Sequence, residues 1–323
     1  MRFRRFLRAS QGFLAAVVCI ALLGAPASAQ EFSFVKMWPM ATACGVAVGP
    51  DGNIYVVADN VPVVRVFSPD GTLLRYWGTG GSGQGQFAHP QGVAVDASGD
   101  VYVTDGTIND RVTVFSSSGA FIRQWGTTGT GPGQFEEPTG IGIAPDGTVY
   151  VVDQSNRVQA FTSIGTFLRE WGSFGFGPGQ FNIAMGLAVS SSNQVYVADS
   201  HSARVQVFSS SGAFIRQIGS HGSDPGQFGQ NWGVAVDSDG NVYVPDREFG
   251  YVHVFSSDGS FITRFGSYGT QPGQFTFPYG LAVDDAGNVY VSDRWNDGVQ
   301  VFSPTDPTPT ASVSWGSVKA RYR

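Results

Sequence analysis

The chain has 323 residues, with 25 acidic against 19 basic side chains, 44 glycines and only two cysteines, Cys19 and Cys44. A net charge of −6 argues against nucleic-acid binding, which needs a basic face to neutralise phosphates. Two cysteines, one of them in a leader segment, leave no framework for internal disulfides.

Residues 1–29 read as a secretory leader. Arg2, Arg4, Arg5 and Arg8 form its basic start, 12–23 its apolar core, and Ala27-Ser28-Ala29 a small-residue cleavage site, so that Gln30 begins the mature chain. The apolar core falls short of the roughly 20 residues a transmembrane helix needs, and no other segment approaches that length. The expected location is therefore secreted or extracytoplasmic, in the periplasm or at the cell surface. Losing four arginines leaves the mature chain at about −10.

From there the chain repeats. A tyrosine within a VYV-type run recurs at Tyr55, Tyr102, Tyr150, Tyr196, Tyr243 and Tyr290, at intervals of 46–48 residues, the signature of an array of one supersecondary unit. In the second copy the apolar run 92–96 is followed by a turn at 97–99, then 101–103, a polar loop at 105–110, the run 111–115, a turn at 116–119 and the run 121–126. Each run has strand length and β-branched or aromatic content, and each gap carries Gly, Ser, Asn or Asp. We letter these strands a to d. Strands a and b are apolar on both sides, so both faces must be covered. Radial stacking of four-stranded sheets achieves this. The expected fold is all-β: a six-bladed β-propeller of four-stranded antiparallel blades.

Five linkers of GxGQF type end at Phe87, Phe135, Phe181, Phe228 and Phe275, with Asp224 and Gln271 replacing the first glycine in the last two. Five linkers join six blades, yet the last blade lacks its own d strand. Phe34-Val35-Lys36-Met37-Trp38 matches Phe121-Ile122-Arg123-Gln124-Trp125 position for position, so the N-terminal strand is expected to complete the last blade beside 299–302. The segment 312–315 is the competing candidate, but lies behind a Pro-rich stretch. The domain organisation is thus a leader at 1–29, a propeller at 30–303, and a Pro/Thr-rich linker with a basic-aromatic tail at 304–323, the tail being a candidate for cell-surface attachment.

The motif carried best by 131–140, 241–244 and 204–208 resembles the NHL repeat, over about 31–303. The resemblance implies a six-bladed propeller with ligands at the loop-rich mouth of the central channel. Some animal relatives bind RNA or join RING zinc modules; the charge and the missing Cys/His cluster argue against carrying either over. Amidating lyases of this type hold zinc with a histidine just before the strand-a glycine. The six equivalents here are Cys44, Gln91, Thr139, Met185, Trp232 and Tyr279, none of them histidine, and His89, His201, His221 and His253 show no metal spacing. The sequence 237–241 resembles a calcium loop in type, but every repeat has a polar turn there.

Those six residues are expected to ring the channel mouth. Asp105 with Arg111, Asp153 with Arg157 and Asp199 with Arg204 recur as loop-pinning ion pairs. Blades five and six depart from this: Arg247 and Arg294 directly follow the aspartates, and Tyr251 and Gly298 occupy the vacated arginine positions. The same blades gather Trp232, Phe249, Tyr251, Tyr279 and Trp295 near the mouth, with Glu248 and Asp297 as acceptors. Flat rings beside arginines and carboxylates suit sugars or extended peptides. The expected function is an exported, non-catalytic recognition or scaffold propeller for a protein, peptide or glycan, its ligand site drawn from Trp232, Tyr279, Trp295, Arg247, Arg294, Glu248, Phe249, Tyr251, Gln91 and Met185, with no catalytic residues, metal or cofactor. The alternative is a metal-dependent lyase or lactonase-type hydrolase acting at the channel.

Overall fold

The computed structural model describes residues 30–305; the leader and the tail from 306 onward, with the competing strand at 312–315, lie outside the described residues. Six four-stranded antiparallel sheets surround a central channel, and the only helical element described is a single 3-10 turn at Ser200–Ser202. No helix among the described residues is long and apolar enough to cross a membrane. Blade one runs outward through Ala43–Val48, Ile54–Ala58, Val63–Phe67 and Leu73–Trp77. In the last blade, Pro278–Val283, Val289–Asp293 and Gly298–Thr305 are completed by Glu31–Pro39 from the other end of the chain. The last strand runs to Thr305, because Ser303, Pro304 and Thr305 pair with Ser33, Phe32 and Glu31.

The closing strand reproduces its counterparts in detail. In blade two Phe115 faces Phe121 and Val114 faces Arg123, with a bulge between. At the closure Phe302 faces Phe34 and Val301 faces Lys36, with the same bulge. The packing across the seam is repeated as well. Strand-d indoles Trp77, Trp125 and Trp171 lie flat on the turn glycines Gly119, Gly165 and Gly212 of the next blade, where a Cβ would come within 2.6–2.7 Å of the ring. Trp38 meets Gly71 in the same way and stacks on Phe67, 5.3 Å away. Arg75 and Arg123 donate to Ser117 O and Ser163 O of the next blade; Lys36 Nζ donates to Pro69 O at 2.9 Å.

Strand b is buried along its length in every blade, and the six repeat tyrosines are essentially sealed. Each such large side chain contributes about 1.5–3 kcal/mol, so the fold is held chiefly by contacts between blades. The repeated ion pairs pin the linkers to the blades. Arg157 Nε lies 3.1 Å from Asp153 and its NH1 and NH2 donate to Thr130 O and Gln134 O; Arg204 repeats this with Asp199, Gly177 O and Gln180 O. Arg111 holds Ser82 O, Gly83 O and Gln86 O but stands 3.8 Å from Asp105. Blade six uses Asn296, whose amide donates to Gly269 O and Gln274 O. Blade five sets buried His253 against Asp246 and brings Arg264 across from strand d to Ser223 O.

Candidate functional site

The channel is closed down by backbone contact. The strand-a glycine of each blade presses on the carbonyl of the residue before the next one. A Cβ would stand 2.7 Å from Gln91 O at Gly45, 2.5 Å from Met185 O at Gly140, 2.7 Å from Trp232 O at Gly186, 2.6 Å from Tyr279 O at Gly233 and 2.5 Å from Cys44 O at Gly280. Only glycine permits this approach. What remains is a cavity of about 60 Å³ lined by Gln91, Thr139, Met185, Trp232 and Tyr279 among others, enough for a few waters. The Tyr279 hydroxyl donates to Gln91 Oε1 across it, 2.9 Å away, from blade six to blade two. Cys44 turns instead into the core beside Tyr55 and Val57. Burial, with the Asp59 carboxylate nearby, pushes its thiol up to about 12.

Above the channel, where blades five, six and one meet, the rim is a different environment. The Arg247 guanidinium lies 4.0 Å over the Phe277 ring, 5.4 Å from Trp232 and 5.8 Å from Trp295. Phe277 contacts Trp295 at 4.8 Å and Trp232 at 5.2 Å, and Trp232 contacts Tyr279 at 5.2 Å. Arg247 NH1 donates to Gln230 Oε1 at 3.0 Å. No carboxylate among the described residues pairs with Arg247, and burial draws its pKa downward with no acid opposing it. The Trp232 indole N–H is buried without a protein acceptor.

Arg294 lies over Tyr279 at 5.9 Å and is paired with Asp59. Asp59 is only 3% exposed; it also stands 3.5 Å from His89 Nε2, and its Oδ1 has no partner. Since Gln91 Oε1 accepts from Tyr279, its Nε2 donates to His89 Nδ1 at 3.2 Å. That assigns the proton of a neutral His89 to Nε2, facing Asp59. Beside Arg294 a pocket of about 500 Å³ opens between blades six and one, walled by Thr42, Asn60, Phe277, Arg294, Trp295 and Asp297. Trp295 is 63% exposed.

Of the residues singled out from sequence, the structure gathers Trp232, Tyr279, Trp295, Arg247 and Arg294, with Gln91 and Met185 below them in the channel. Tyr251 lies elsewhere, beneath Arg264 at 4.3 Å. It starts strand c at the position arginine holds in other blades, so its side chain points along the linker rather than over the mouth. Glu248 rests against Gly229, and Phe249 belongs to the turn whose N–H groups bond Asp246; neither reaches the stacked rings. Sequence reasoning missed Phe277 and Asp59. Asp59 leaves a trace in the sequence: blade one has Ala58 where the other blades have aspartate, and its carboxylate comes one residue later, which turns it to the opposite face. The loop at 237–241 is a turn like the others: Asp237 accepts from the N–H groups of Asp239 and Asn241 and from Tyr243, as Asp284 does from Ala286, Asn288 and Tyr290. Among the described residues no three His, Cys, Asp or Glu side chains converge as metal ligands would.

Two stretches, 181–208 and 275–302, match the NHL repeat, and 96–172 matches a family described as a 6-bladed beta-propeller. The chain carries NHL repeats and folds as a six-bladed β-propeller. No curated protein matches it in sequence. Solved structures similar to this NHL propeller include a protein of unknown function from Bacteroides thetaiotaomicron, 18% identical with a TM-score of 0.64 over 85% of this chain and 72% of that one. A gluconolactonase from Xanthomonas campestris is 17% identical, with a TM-score of 0.62 over 85% and 90%. Virginiamycin B lyase from Staphylococcus aureus is 13% identical, with a TM-score of 0.58 over 84% and 99%. At such identities the likeness concerns the fold alone.

Proposed function

We propose that this NHL propeller is an exported, non-catalytic recognition module that holds a protein, peptide or glycan partner on its mouth face, where blades five, six and one meet. One observation carries the reading: Arg247 clamped among Trp232, Phe277 and Trp295, beside an open pocket of about 500 Å³. Aromatic rings that hold a guanidinium in place form a preorganised surface, and binding to it immobilises few side chains. The sealed channel below supports the same reading, because a ligand has room above the mouth and almost none inside. Trp295→Ala should abolish retention on glycan and peptide arrays while shifting the melting temperature by no more than a few degrees. Undiminished retention would show the rings to be structural.

The second reading, a lyase or lactonase-type hydrolase, draws on the fold shared with the lyase and gluconolactonase structures and on the Asp59–His89 pair at the mouth. Metal analysis of the purified chain, with melting curves taken with and without chelator, separates the two. Stoichiometric metal and a chelator-induced drop in stability would favour the enzyme.

A further inference from the structure

Resting on the recognition reading, we infer that the ligand is a carboxylate-bearing sugar, its ring against Trp295 and its carboxylate on Arg247. The pocket beside Trp295 has a volume of about 500 Å³, within the roughly 300–1,000 Å³ of sites for compact ligands, and its lining divides into two kinds of surface. One wall is the exposed indole of Trp295 with Phe277 4.8 Å from it, and Arg247, outside that lining, stands 5.8 Å from the indole. The remaining walls carry polar groups: the hydroxyl of Thr42, the amide of Asn60, the guanidinium of Arg294 and the exposed carboxylate of Asp297. A pyranose ring presents one apolar C–H face and an equator of hydroxyls that donate and accept, and this lining offers a plane for the first and partners of both kinds for the second.

A peptide fits less well. The backbone groups of the rim are already bonded to one another: Arg247 N to Gln230 O, Arg294 N to Phe277 O, and Met40 N to Asp297 O, all at 2.8–3.0 Å. These rim segments, among the described residues, therefore offer no open strand edge at those amides for an extended chain to extend the sheet.

The carboxylate follows from the charges. Asp59 neutralises Arg294, and Asp297 carries a negative charge on another wall. The one cation here free to receive an anion is therefore Arg247, which spends one N–H on Gln230 while its others bond no protein atom among the described residues. A guanidinium held among aromatic rings is partly stripped of water, so an arriving carboxylate is attracted more strongly than on open surface. It can also be received by two parallel N–H groups. Arg247 stands 5.8 Å from the centre of the Trp295 ring, within the span of one sugar residue stacked there.

The test is a tryptophan-fluorescence titration of the full chain with glucuronate, glucose and a short unblocked peptide. The expected result is about ten-fold tighter binding of glucuronate than of glucose at low salt, with that preference shrinking as salt is raised. Arg247→Met should bring the glucuronate affinity down to that for glucose, and Trp295→Ala, read by titration calorimetry because it removes the reporting indole, should abolish binding of both sugars. Should Arg247→Met fail to fold, the salt dependence of the unaltered chain decides. Equal affinity for the two sugars, or peptide binding as tight as glucuronate, overturns the inference. If array retention of some other partner still depends on Trp295, the recognition reading stands while the acidic sugar falls.

Discussion

Asp105, Asp199, Asp246 and Asp293 end their b strands by accepting linker N–H groups. In blade one the carboxylate comes one residue later, at Asp59, and lies instead beside Cys44, His89 and Arg294. Cys44 shows what this neighbourhood does to a titratable group. An ordinary thiol has a pKa near 8.5; burial and the Asp59 charge raise this one to about 12. It should stay unlabelled by iodoacetamide at pH 8 in the native protein and react only with denaturant, as followed by peptide mapping. Labelling of the native protein at the rate of a free thiol would contradict the burial. Asp153, also an acid, is likewise shifted upward, from 3.8 to about 6, because desolvation outweighs Arg157 and its hydrogen bonds. Between these values the folded chain keeps a proton that the unfolded chain has released, so this contribution is complete below about pH 4 and is lost as pH rises through 6. Melting curves at pH 4 to 7 should therefore show a fall in stability that Asp153→Asn flattens; an unchanged slope would mean the carboxylate is better solvated than its burial implies. The Asp153–Arg157 pair was legible in the sequence because it repeats. Asp59 and Phe277 were not, since each departs from its repeat and acquires meaning only beside residues of other blades.

Strand a shows where sequence pattern stops at the level of the element. Its apolar run and its glycine mark each repeat, and the run alone predicts a strand covered on both faces. The contact that requires the glycine lies in the next blade, 45–47 residues on between successive blades, and appears only once the blades are stacked. Gly140→Ala would place a methyl group 2.5 Å from Met185 O and 2.7 Å from Leu187 N, backbone atoms that cannot recede without widening the channel. The expected loss is about 1–3 kcal/mol, as for an overpacked core, measured by urea denaturation. Gly80→Ala is the control: nothing lies within 4 Å of its Cβ, and the change should stay within about 0.5 kcal/mol. Similar losses at both positions would show that glycine serves the unfolded chain rather than the ring. Tyr251 illustrates the converse limit. Composition put it among the mouth aromatics, but the side-chain alternation of a strand decides direction, and it points toward Arg264.

Closure is where fold and candidate site become one question at the scale of the molecule. The repeat count and the match of 34–38 to 121–125 made the closing strand legible from sequence; the bulge it shares with the internal blades shows only in the structure. The site at the seam was not legible, because Thr42 and Asn60 of blade one reach Trp295 and Asp297 of blade six only after the two ends of the chain have met. The Asp59–Arg294 pair crosses the same seam. A chain beginning at Ala41 would lose Phe32, Phe34 and Trp38, which pack against Phe265, Phe302 and Phe67. At about 1.5–3 kcal/mol for each ring, that is about 5–9 kcal/mol, comparable with the 5–15 kcal/mol that holds a typical domain folded. Urea denaturation should therefore give a much lower midpoint and a broader transition for the shortened chain. Trp38→Ala alone should cost about 3–5 kcal/mol. Because both blades wall the pocket, Trp38→Ala should also weaken partner retention on the arrays at temperatures where the chain is still folded. A stability loss that leaves retention untouched would place the ligand away from the seam, while a shortened chain as stable and cooperative as the full one would mean that the ring is closed by some other strand.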